Sequence, residues 1–322
     1  MNPAKVLLTV AVLALAFSTD SAKAQAVTRM LSGHPPGGAV DTLARIFADK
    51  LGEALGRPVV VETRSGAGGQ IAASALKTSA PDGNTLMTIP ASALTLYPHT
   101  TKTPLNDTLN DFVPVAHIGS YETGLAVGAN VPANDLREWI NWAKADSKNA
   151  TYSAGNVGTD LHFVGVALAQ ATGVQLVHVP YRGVGPATVA LLAGEIPAVT
   201  LPFAQMLPQV RAGKIRILAH AGGRRAAVAP DIPTFKELGY AGLEISSWYV
   251  IIAPAKMRPE LVARYNEIFI QALRTPAVSG RMRALDLEIR ELNPAELVAT
   301  LRADYNRWGP IVKASGFSAD SQ

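Results

Sequence analysis

Three glycine-rich stretches hold the residues best suited to chemistry. They are "HPPGGAVD" (His34–Asp41), "SGAGGQ" (Ser65–Gln70) and "SAGNVGTDLH" (Ser153–His162). Each runs from an expected strand into an expected helix, where unpaired backbone N–H groups and the positive end of the helix dipole converge. Glycine lets the backbone come close to whatever sits there, so the chemistry on offer is anion binding. In the first stretch Pro35 and Pro36 fix the approach, Gly37 and Gly38 bare the backbone, and the helix start supplies the field. Asp41, in the first helical turn, reads either as a ligand contact or as a dipole and capping residue. His162 reads either as a ligand contact or as a helix residue that holds its loop.

Other chemistries find less support in the spacing. "GAGGQI" begins like a dinucleotide fingerprint but has Ile71 where the third glycine or alanine belongs, and no Gly-Lys-Ser/Thr follows any of these loops. There is no Gly-x-Ser-x-Gly elbow and no His-Glu-x-x-His, and the six histidines are not paired at metal-ligand spacing. No cofactor and no metal is implied. An exported enzyme acting on a small anion, with His162 and Asp160 or Asp41 as acid–base groups, stands as the rival from another class.

Around the loops the apolar periodicity sets the frame. Val40, Leu43, Ala44, Phe47, Leu51, Ala54 and Leu55 form the stripe of a helix packed on a sheet, ended by Gly56 with Pro58 just beyond. "VVVE" (Val59–Glu62) and "TLMTI" (Thr85–Ile89) read as strands either side of a helix over Gln70–Ala80. The rhythm restarts with a helix over Leu161–Gly173, a strand "VQLVHVPY" (Val174–Tyr181), a helix over Pro186–Glu195, and strands over Ile196–Leu201 and Lys214–Ala221. Two α/β units in one chain predict two lobes. Extended stretches at His117–Gly128 and Leu243–Pro254 would carry the chain between them, and helices near Pro259–Leu273, Ser279–Leu285 and Pro294–Ser315 would return to the first.

Composition bounds the class. The 322 residues are 48% hydrophobic and 17% charged, enough for a large core. A net charge of +4 with scattered basic residues does not point to nucleic acid. Lys5, the apolar run Val6–Phe17 and the small residues around Ala24 and Ala26 read as a signal peptide, too short to span a bilayer. With no cysteine there is neither a disulfide nor a lipid-modified N-terminal Cys, so a soluble protein of the bacterial periplasm is expected.

"PPGGAVDTLAR", "GRPVVVETRSGAGGQIAA", "APDGNTLM", "YSAGNVGTDLHF", "VPYRGVGPA", "VRAGKIRILA" and "DIPTFKELGY" occur in the order and spacing of one family. Across nearly the whole mature chain the sequence resembles the Bug proteins, the TctC-like extracytoplasmic solute receptors of tripartite tricarboxylate transporters. The resemblance implies an α/β, two-lobed periplasmic binding protein of type II-like, Venus-flytrap form with β-strand hinge crossings. Residues 1–24 would be the signal peptide, 25–123 with 247–322 one lobe, and 124–246 the other. It also implies capture of a small organic acid, delivery to membrane transporter subunits of the tripartite type, and a monomer that does not itself span the membrane. A receptor that only signals to a membrane partner shares all these features.

Carried over by position, the resemblance places His34, Gly37, Gly38, Asp41 and Ser92 at the ligand from the first lobe. Gly155, Asn156, Thr159, His162, Arg182 and Gly183 would meet it from the second, with Thr159 adding a hydroxyl and Arg182 a cation for a second carboxylate. Two departures bear on the pocket. Gly33 stands where the family has proline, which predicts a looser first loop, and Val250 follows Trp248 and Tyr249 where the family has glycine; with Trp248 and Tyr249 placed to face the cleft on the crossing strand, Val250 would alter the pocket's shape there.

Overall fold

The computed structural model describes residues 27–321, except 227 and 246; the expected signal peptide lies outside the described residues. The helix Ala39–Leu55 shows why the first lobe forms. Its stripe Val40, Leu43, Ala44, Phe47, Ala48 and Leu51 is buried, and Gly56 ends it in the left-handed region at φ 64°, donating its N–H to the Gly52 carbonyl. Phe47 meets Phe269 of the helix Pro259–Arg274 edge to face, with ring centroids 5.8 Å apart. Such a pair contributes about 0.5–1.5 kcal/mol beyond its burial.

The strands form two five-stranded sheets of the same pattern. In the first, β1 (Thr28–Ser32) is flanked by parallel β2 (Val59–Thr63) and β3 (Thr85–Pro90). Beyond β3, β10 (Ser247–Pro254) is inserted antiparallel, with β4 (Phe112–Tyr121) outside it. In the second, β6 (Thr151–Ser153) is flanked by parallel β7 (Val177–His178) and β8 (Ala198–Pro202). Next come antiparallel β5 (Thr123–Gly128) and outer β9 (Ile215–His220). In each sheet the inserted antiparallel strand is the one that has just arrived from the other sheet.

Glu122 alone separates β4 from β5 at the first crossing. At the second, Ala221 donates its N–H to the Thr123 carbonyl and accepts one from Ile245, so the outgoing and returning chains lie side by side. The long helix Pro294–Ser315 starts with a capping box of Asn293 and Glu296. No helix of the described residues is long and apolar enough to cross a membrane.

Local differences from the sequence reading have physical reasons. The strand expected over Val174–Tyr181 is reduced to Val177–His178 at a sheet edge. Pro180, next to it, has no N–H for a ladder. Gly33 is not a loose joint but a tight one: it is buried, and a Cβ there would stand 2.6 Å from the Gly69 Cα. Helices at Leu136–Ala145 and Phe203–Arg211 add to those expected, the first N-capped by Asp135.

Candidate functional site

The carboxyl ends of the parallel strands in both sheets face one cavity of about 640 Å³. Helix N-termini open onto it, among them those of Ala39–Leu55, Asp160–Thr172 and Val184–Ala193, through Gly38, Thr159 and Gly183. Gly38 and Gly183 make no side-chain cap, so the N–H groups of their first turns are not taken up by a capping side chain. The helix at Val184 also has no acidic residue in its first turn, and Arg182 stands just before it. Arg182 is exposed, lines the cavity and has no ion-pair or hydrogen-bond partner among the described residues. That corner is where the cavity most favours negative charge.

Of the expected site residues, His34, Gly37, Gly38, Ser92, Asn156, Thr159, Arg182 and Gly183 line this cavity together. Their roles are finer than position alone suggests. Gly37, at φ 84°, donates its N–H to Asp41 at 3.1 Å, so the backbone donors left at this loop start at Gly38. The Thr159 hydroxyl accepts the His162 N–H as the helix cap and donates to the Asn156 carbonyl. His34 keeps a buried Nδ1 with no partner, and burial brings its pKa down to about 4, so it is neutral at pH 7.

Asp41, Gly155 and His162 do not line the cavity. Asp41 is buried and accepts two hydrogen bonds from Arg45, at 2.9 and 3.1 Å, besides that from Gly37; the Arg45 bonds hold its carboxyl below the usual range. It holds the first loop onto its helix. Gly155 lets the loop before Thr159 touch the loop at Gly183, since a Cβ would stand 2.7 Å from the Gly183 carbonyl carbon. His162 is buried, edge-on to Phe317 and His178, and its Nδ1 accepts the Gly158 N–H at 3.4 Å. His178 accepts the Ala154 N–H at 3.0 Å in the same way. Burial pulls both rings far below the ordinary histidine pKa, to about 3 for His162 and about 4 for His178, with His178 adding a smaller repulsion at His162. The two neutral rings thus fix both ends of the loop Ala154–Gly158.

The structure adds residues that the motifs did not single out as ligand contacts. Asp160 lines the cavity although it is only 3% exposed. Its carboxylate accepts Ser92 at 2.7 Å, Tyr121 at 2.9 Å and also Ser247. Tyr121 stacks on Tyr249 with centroids 4.6 Å apart, and both phenols line the cavity and are pushed well above the usual tyrosine pKa, first by burial and then by Asp160. Of Trp248 and Tyr249, both expected toward the cleft, Tyr249 faces the cavity, while strand alternation turns Trp248 and Val250 to the other face of β10, where they pack into a core with Ile89 and Ile252. Val250 therefore does not shape the cavity wall.

A model of the "Tripartite tricarboxylate transporter family receptor" matches residues 43–317. The chain belongs to that family. The receptor is 31% identical to the Bordetella pertussis protein BugT over 93% of this chain and 92% of that one. Among solved structures it is similar to the periplasmic binding protein BugD, with a TM-score of 0.84 at 27% identity, covering 90% of this chain and 98% of the other. It is similar as well to the R. palustris protein Rpa4515 with adipate, with a TM-score of 0.85 at 26% identity over 91% and 98% of the two chains. The two-sheet α/β architecture of the receptor is thus that of periplasmic binding proteins.

Proposed function

We propose that this receptor is an exported periplasmic protein that captures a small carboxylate between two lobes and hands it, unchanged, to membrane subunits of a tripartite transporter. The lobes are residues 25–123 with 247–322, and 124–246; the protein acts as a monomer. One observation carries this reading: the helix N-termini at Gly38, Thr159 and Gly183 and Arg182, unpaired among the described residues, converge on one cavity between the two sheets. Such a site holds an anion by backbone N–H groups and a guanidinium. The adipate in the Rpa4515 structure supports the ligand class. Gly38 contributes from one side and Asn156, Thr159, Arg182 and Gly183 from the other, while Ser92 lines the first side with its hydroxyl given to Asp160.

The enzyme alternative needs an acid–base pair, and the arrangement speaks against one. His162 Nδ1 is committed to Gly158, and the Asp160 carboxylate to hydroxyls. The test is a thermal-shift screen of the mature chain, unfolded and refolded to strip bound ligand, against mono-, di- and tricarboxylates, amino acids and aromatic acids. A ligand at about 100 times its Kd stabilises by about 2.7 kcal/mol. An acid that stabilises and is recovered unchanged supports capture; an acid that is consumed replaces the receptor with an enzyme.

A further inference from the structure

The cavity already holds a carboxylate of its own. Asp160 sits in its wall with hydroxyl donors on both oxygens, Ser92 on one and Tyr121 and Ser247 on the other. No cation is bonded to it among the described residues. The cavity is lined by a single guanidinium, Arg182, and by the neutral His34; Asp41, already paired with Arg45, adds nothing. The hydroxyls of Ser92 and Tyr121, which would suit a ligand anion, are directed to Asp160 instead. Among fixed side-chain charges on the wall, one negative therefore offsets one positive.

From this we infer that Asp160 sets the charge of the ligand: the receptor takes an acid with one carboxylate, seated toward Arg182 and the open helix start at Gly183, and rejects a second carboxylate. The inference rests on the carboxylate reading above. A volume of 640 Å³ is about 11 Å across if taken as a sphere. A second carboxylate inside it thus stands within about one or two Debye lengths of Asp160, near enough for like-charge repulsion to act. Discrimination by a like charge in the wall is selection against the wrong ligand rather than tighter binding of the right one. The apolar lining from Val40, Tyr97, Val157, Val184 and Leu285 suits an uncharged remainder of the ligand.

The test is calorimetric titration of the stripped mature protein with paired straight-chain monoacids and diacids of equal length, about four to eight carbons, with the matching alcohols and amines as controls. The expected result is that the best monoacid binds at least about tenfold more tightly than its diacid, and that Asp160→Asn and Asp160→Ser bring the two within about threefold. A diacid that binds the wild-type protein as tightly as its monoacid overturns the inference and leaves the carboxylate reading standing, and this arm needs no variant to fold. A preference unchanged in a folded Asp160→Asn variant removes Asp160 as its cause. Binding of an alcohol or amine with neither acid overturns the carboxylate reading itself, and the inference with it.

Discussion

The Ser92 hydroxyl donates a 2.7 Å hydrogen bond to the Asp160 carboxylate, joining the segment after β3 of the first sheet to a helix start of the second. Tyr121 and Ser247, at the two crossings, reach the same carboxylate. Replacing Asp160 by Ala would leave three buried hydroxyls without this partner, and an unmet buried donor costs about 1–3 kcal/mol. Asp160→Ala is expected to lower the urea midpoint by an amount in that range or above it. An unchanged midpoint would mean that the contact contributes nothing to the folded state.

Gly37 and Gly38 are neighbours with different demands. Gly37 holds φ 84° with nothing within 4 Å of the place a Cβ would take, whereas Gly38 has φ −79°. Gly37→Val should therefore cost about 1–2 kcal/mol through backbone strain alone and weaken ligand binding. Gly38→Ala should cost less in stability. Urea denaturation and titration with the best acid check both, and a Gly37→Val protein with wild-type affinity would contradict the role of this loop.

Gly155 tests the other loop. Alanine there meets both φ 73° and the Gly183 carbonyl carbon at 2.7 Å, so the loop must leave the turn at Gly183. Binding should weaken by about tenfold or more. Gly173→Ala, at φ 69° but with nothing within 4 Å, sits at the far end of the helix Asp160–Thr172. It should lower stability by about 1 kcal/mol and leave affinity alone.

Much of this was readable from the residues. The stripe of Ala39–Leu55, the glycine-rich strand-to-helix turns and the β-α rhythm follow from local periodicity, and local periodicity is what a sequence displays. The partners of Asp160 are 39, 68 and 87 residues away, a juxtaposition that only the two crossings create. Gly155 reads as a ligand contact, and His162 either as one or as a helix residue that holds its loop, because both belong to the right loop; what separates these readings, packing against Gly183 and His178, is tertiary. Gly33 shows the same limit: glycine suggests looseness in one dimension, and a close approach by Gly69 makes it tight in three.

The buried His162 and the half-buried His178 predict acid sensitivity. His162 and His178 have folded pKa values of about 3 and about 4, below the ordinary 6.5. The unfolded chain therefore takes up protons first as pH falls, so their contribution is fully present above pH 6.5 and is lost progressively below it. At 1.36 kcal/mol per unit, each costs at most about 2 kcal/mol between pH 6.5 and 5. The urea midpoint should drop between about pH 7.5 and about pH 5. A midpoint that holds or rises would show that these rings do not hold the loop as neutral acceptors.

The most direct measurement is the crystal structure of the receptor with the tightest-binding acid of the screen. A single carboxylate is expected in the cavity, within hydrogen-bond reach of Arg182 or of the backbone N–H groups at the helix starts of Gly38, Thr159 or Gly183. An acid bound elsewhere, or bound in the cavity with its carboxylate away from all of these, would contradict the account.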